Sequence, residues 1–152
     1  LYILSCNGVE LNKMEFNEFR QGPYSSVLNS AIKIMDGDFL YISGINKPAD
    51  STFIMLEPKV VSKATRMLRE QNSNEKSISY VIDLIAGYES KDGMIILAST
   101  LWSAKKMRDA NKEVFAESLV EHVSSLTSLQ ARVSPTLIKS AYQRLVEEGQ
   151  FT

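Results

Sequence analysis

The stretch VSPTLIKSAYQRLVEEG, residues 133–149, decides how this chain is read. Ser134 followed by Pro135 marks a helix start. A serine oxygen accepts an orphan backbone N–H there, and proline suits a first helical position whose own N–H would have no partner. Leu137, Ala141 and Leu145 then recur at helical spacing and are expected to face other helices, with Ala141 small enough for close approach. Gly149 supplies the left-handed residue that ends many helices. Placing that stripe inward turns Thr136, Lys139 and Gln143 outward.

Working back from this helix, the chain reads as helical from Asn111 onward. Phe115, Ala116, Leu119, Val120 and Val123 form one stripe, expected on a supporting helix over 111–124. Leu126 and Leu129 fall in a short segment, with Thr127 to Ala131 expected as a further helix. No strand signal follows residue 98. The asymmetry predicts an α+β protein: a mixed body over 1–108 and a three-helix, helix-turn-helix-like unit over 109–152.

Val133, Ser134, Ile138, the run Ala141-Tyr142-Gln143-Arg144-Leu145 and Gly149 resemble the recognition-helix region of winged helix-turn-helix regulators of the GntR family. The resemblance covers about 25 residues. It implies a nucleic-acid face of Ser134, Thr136, Lys139, Gln143 and Arg144, with Lys139 on phosphate, Gln143 on an adenine edge and Arg144 on the DNA backbone. It also implies that Gly149 leads toward a wing. The sequence departs from the family in places. Arg132 stands where the turn usually has glycine, the family's Pro-Ser-Glu signature is missing, and the motif closes the chain instead of opening it. From Ser103 to Thr152, seven Lys and Arg face six Asp and Glu, a net of +1. Most non-specific affinity for DNA comes from phosphate contacts, so charge gives this reading little support.

The first two thirds carry shorter signals. Tyr2-Ile3-Leu4, ahead of Cys6-Asn7-Gly8, reads as a strand ending in a turn. Pro23 is expected to open a helix bearing Tyr24, Val27, Leu28, Ala31 and Met35, stopped by Asp36-Gly37. Phe39–Ile42 and Thr52–Leu56 read as strands of a hairpin around a loop at 44–51. Pro58 opens a helix with Val60, Val61, Ala64, Met67 and Leu68 on one face, broken at Asn72 to Asn74. Ile78, Val81, Ile82 and Ile85 form another helical stripe, ended by Gly87. Met94 to Ala98, after a turn at Lys91 to Gly93, fits either a buried strand or the start of a helix reaching Met107. The strand is preferred.

Composition excludes some functions. The 152 residues are 44% hydrophobic and 23% charged, with a net charge of −1, so the chain is neither disordered nor a wholly basic nucleic-acid binder. One cysteine excludes an internal disulfide and a multi-cysteine zinc site. No apolar run approaches the roughly 20 residues that span a bilayer. No membrane association and no cofactor are expected, and the cytoplasm or nucleus is the expected compartment. Cys6 is the one imaginable nucleophile and His122 the lone histidine, and both are read as structural: a packed thiol and a satisfied surface imidazole. Lys59, Lys63, Arg66 and Arg69 form a basic strip suited to an acidic partner or simply to water. The glycines form no phosphate-cradling loop. The expectation is a non-enzymatic, DNA-associated regulator. The alternative is a subunit of a multiprotein assembly docking a protein partner or a second copy, and a small enzyme with an unrecognised site stands third.

Overall fold

The computed structural model describes residues 1–11, 14–19, 22–43, 53–70, 74–126 and 133–151. Its described elements are seven helices and two small antiparallel sheets, a mixed α+β fold as expected. The chain divides into two units. One holds Leu1–Glu10, Phe16–Tyr24 and Ser77–Thr152, and the other holds Leu11–Glu15 and Ser25–Lys76. This division differs from a border at residue 108, because the helices on both sides of that residue belong to one unit.

The larger unit is organised by α5, Lys91–Asp109. A strand was preferred over Met94 to Ala98, and the structure corrects this to helix. Ser90 caps the start by accepting the Gly93 N–H at 3.0 Å, Asp92 lies in the first turn, and Lys106 and Arg108 lie in the last, where the helix dipole favours each sign. The helical period was hidden because the buried face includes Ser99, Thr100 and Ser103 beside Ile96, Leu97, Leu101 and Ala104. Around α5 pack α6 (Ala116–Ser125) and α7 (Pro135–Glu147), which also pack on each other. Leu119, Val123, Ile138, Ala141 and Leu145 are fully enclosed in the shared core. Each such aliphatic side chain contributes about 1.5–3 kcal/mol of transfer free energy.

Two more helices join this core. Helix α4, Glu75–Leu84, buries Val81 and Leu84, whereas Ile82 of the expected stripe points outward. Tyr2–Cys6 forms α1, a short helix where a strand was expected, with Ile3 buried against the core. Strand propensity in Tyr-Ile-Leu is overridden by tertiary packing: Tyr2 sits edge-on to both Phe16 and Trp102, each at 5.4 Å between centroids. The supporting helix expected over 111–124 starts five residues late, because Asn111 takes a positive φ of 54° and ends α5 instead. The helix expected over 127–131 lies outside the described residues.

A small hairpin completes this unit and had no counterpart in the sequence reading. Strands β1 (Asn17–Phe19) and β2 (Gly22–Tyr24) pair antiparallel with Glu18 opposite Pro23. Pro23 therefore lies in a strand, where a two-stranded ribbon leaves room for a residue without an N–H. Helix α2 starts after it, at Ser26. Gly22 has a φ of +103°, and a Cβ there would lie 2.4 Å from Ser99 Oγ, so only glycine lets β2 approach α5.

The smaller unit contains α2 (Ser26–Met35), β3 (Leu40–Ser43), β4 (Phe53–Leu56) and α3 (Pro58–Glu70). Ser25 caps α2, its oxygen accepting the Leu28 N–H at 3.4 Å. Asp36 ends the helix, and its carboxylate accepts the Ile42 N–H at 2.9 Å. The expected hairpin is present, with Leu40 opposite Leu56 and Ile42 opposite Ile54. The expected loop at 44–51 and the break at 72–73 lie outside the described residues. Among the described residues Leu40, at 8% exposure, is this unit's only buried apolar side chain.

Candidate interaction surface on the C-terminal helix

Helix α7 is built from both ends as its sequence suggests. Ser134 Oγ accepts the Thr136 N–H at 3.2 Å, with Pro135 at the first helical position. At the other end Gly149 takes a φ of 67°. The Gln150 N–H reaches Leu145 O at 2.9 Å and the Gly149 N–H reaches Val146 O at 3.0 Å, the paired bonds of a Schellman stop. The inward stripe is Ile138, Ala141 and Leu145, not Leu137, Ala141 and Leu145: Leu137 is 46% exposed and Ile138 fully buried. Two successive steps of four residues drift off a 3.6-residue period, whereas steps of three and four stay on one face.

Thr136, Lys139 and Gln143 lie on the outer face, as that phasing requires, and all three are exposed. The polar ends of the last two are engaged. Lys139 Nζ meets Glu117 Oε1 of α6 at 2.7 Å, and this bond holds the Glu117 carboxyl below its ordinary range. Gln143 Nε2 donates to Glu147 Oε1, one turn on, at 2.9 Å. Arg144 turns toward α4 instead of outward. Its Nη2 donates to Asp83 O at 2.7 Å, its Nε to Leu84 O at 3.4 Å, and its Nη1 meets Glu148 at 3.1 Å. All three guanidinium nitrogens are thus engaged, two of them capping the carbonyl end of α4. The guanidinium that the resemblance assigns to a DNA backbone is thus turned toward α4 in this structure.

The outer face is consequently mixed in charge, with Glu117 and Glu147 set among Lys139 and Gln143. Val146 beside this face and Leu137 on the opposite flank of the helix, half a turn away, add exposed apolar surface that the sequence reading did not single out. An open depression of about 480 Å³ runs across Thr136, Lys139, Ser140, Gln143 and Glu147. Beside it a second, of about 380 Å³, is lined by Arg108, Lys112, Val114, Tyr142, Val146 and Phe151. Its apolar wall is fixed by Tyr142, whose hydroxyl donates to Val114 O at 3.0 Å and whose ring lies 5.8 Å from that of Phe151. The Gln143–Glu147 spacing was legible in the sequence. The Lys139–Glu117 pair, separated by 22 positions, was not.

The remaining candidate residues are dispersed. Cys6 is half-buried at the end of α1, beside Tyr2, whose hydroxyl is pushed above its ordinary range by burial and then by Cys6. His122 lies on α6 with its Nε2 buried and without a hydrogen-bond partner, which corrects the satisfied surface imidazole. No hydrogen bond joins the two among the described residues. Lys59, Lys63, Arg66 and Arg69 are exposed along α3, with Arg66 3.9 Å from Glu70. Among the described residues no three His, Cys, Asp and Glu side chains converge, and no helix is long and apolar enough to cross a membrane. No protein-family model matches the chain, and no curated protein matches it.

Proposed function

We propose that the chain is a non-enzymatic subunit of a protein assembly that docks a protein partner with the outer face of α7. The observation that carries this reading is the engagement of Lys139, Gln143 and Arg144 by Glu117, Glu147, Glu148 and the end of α4. A phosphate approaching this face would have to displace carboxylates that already hold the donors, and would meet their charge. A protein surface makes no such demand. Val146, bordering Lys139 and Gln143 on the helix surface, offers it apolar contact, and the alternating charges offer a polar rim.

A DNA-associated regulator is the second reading. It is favoured by the Ser134 cap, the Gly149 stop and the outward Thr136, Lys139 and Gln143, which together give α7 the bounds of a recognition helix. The two readings separate in a pair of experiments. A photo-crosslinking amino acid placed at Val146, in the cells that make the protein, should trap a discrete polypeptide, and Lys139→Glu should abolish the trapping. Purified full chain titrated with random duplex DNA should show no affinity that falls steeply with salt. Salt-steep DNA binding lost with Lys139→Ala and Gln143→Ala, and no trapped polypeptide, would reverse the order of the readings.

A further inference from the structure

Helix α3 carries a complete amphipathic pattern with its apolar side uncovered. By the 3.6-residue period, Val60, Val61, Ala64 and Met67 share one arc. Val61, Ala64 and Met67 are exposed and Val60 is only half-buried. A helix in water keeps such an arc when something covers it in the functional state. By the same period the opposite arc holds Lys59, Arg66 and Arg69, while Lys63 and Thr65 border the apolar residues on either side. Over Pro58–Glu70 four basic residues face only Glu70, which is drawn toward Arg66 at 3.9 Å. The field around the uncovered arc is therefore positive.

We infer that α3 is the docking helix for an acidic amphipathic helix of a partner protein. Its Val61–Ala64–Met67 arc would receive the partner's apolar seam. Lys63 would pair with a carboxylate flanking that seam on one side, and Arg69, beyond Thr65 on the other side, would reach a second with its long side chain. The geometry favours a helix over a lipid surface. Ala64, at the centre of the arc, lets a second backbone come close, and the arc's described side chains include no aromatic residue to anchor a bilayer interface. Charge argues against a second copy of α3, since that helix brings four basic residues and only Glu70, which is drawn toward Arg66, to answer them. Nucleic acid satisfies the basic arc but leaves Val61 and Met67 in water. This surface belongs to the smaller unit and stands on its own observations, whatever α7 binds.

The test uses the full chain and a labelled heptad-repeat peptide with leucine at a and d and glutamate at e and g, whose like charges keep it from pairing with itself. Fluorescence anisotropy should show saturable binding that weakens with salt. Lys63→Glu with Arg69→Glu should weaken it about tenfold or more, and Met67→Asp comparably. The same peptide with lysine at e and g should bind the wild type at least about tenfold less tightly and should gain affinity for the charge-reversed variant. All the substituted residues are exposed, and an unchanged circular dichroism spectrum checks that the variants fold. Equal binding of the two peptides, no saturable binding, or a preference for phosphatidylserine vesicles or duplex DNA over the acidic peptide would overturn the proposal. Lys139→Glu should leave acidic-peptide binding unchanged, so failure here is separable from failure of the α7 reading.

Discussion

The two units of this chain spend their apolar residues in opposite ways. In the larger unit α5 gathers thirteen buried apolar side chains, among the described residues, into one cluster. In the smaller unit the β3–β4 hairpin shows Tyr41 and Met55 on one face and Ile54 and Leu56 on the other, all more than half exposed. A two-stranded hairpin in which these side chains, unlike Leu40, stay largely exposed gains little from burial and is marginal alone. The lesson concerns function as much as stability. Similar residue types build a core where helices enclose them and an exposed apolar surface where nothing does, and composition does not distinguish the two.

The sharpest way to break the comparison is to make one chemical change in both places. Leu101→Ala, in the enclosed face of α5, should cost about 2–5 kcal/mol in urea unfolding. Leu56→Ala, 60% exposed on β4, should stay within about 0.5 kcal/mol. Equal costs would mean that the hairpin is as enclosed as the core. Gly22→Ala comes next. Its φ of +103° should cost about 1–3 kcal/mol from backbone strain alone, and the added methyl group would also run into Ser99 Oγ. Arg144→Gln should then cost about 1–2 kcal/mol, because it uncaps the α4 carbonyls of Asp83 and Leu84. If Arg144 instead served a ligand, the substitution would leave thermal stability unchanged.

The smallest effect is a pH dependence in the larger unit. The Glu18 carboxylate accepts a 2.6 Å bond from Lys106, which holds its carboxyl below the ordinary range in the folded state. A depressed folded value contributes stability that is present above the unfolded value and lost as pH falls through the folded one. Lys106→Met should flatten this acid limb of a melting-temperature profile, and an unchanged limb would remove the pair from the account. Both side chains are well exposed, so the effect is modest.

How much of this was legible in the sequence depended on where the signal lay. The ends of α7 were, because a Ser-Pro cap and a terminal glycine act locally. Helix α3 and the β3–β4 hairpin were, through a clean period and strand-forming residues. Helix α5 was not, because Ser99, Thr100 and Ser103 lie on its buried side and blur the apolar stripe. Nor was α1, where packing of Tyr2 and Ile3 overrode strand propensity. At the candidate surface the outward set of Thr136, Lys139 and Gln143 followed from periodicity. The fate of each polar end did not. Arg144 bonds to carbonyls some 60 positions away and Lys139 pairs with Glu117 across 22 positions, and no local pattern shows such long-range partners.

Native-state hydrogen exchange tests the contrast between the units most directly, because it reads opening free energies residue by residue. Amides of α5 and α7 should exchange only with global unfolding and share one high, denaturant-sensitive free energy. The paired amides of β3 and β4 should exchange through local opening, at a free energy well below it and nearly independent of denaturant. Hairpin amides as protected as those of α5, in the isolated chain, would contradict the account: the smaller unit would then be stable without any partner.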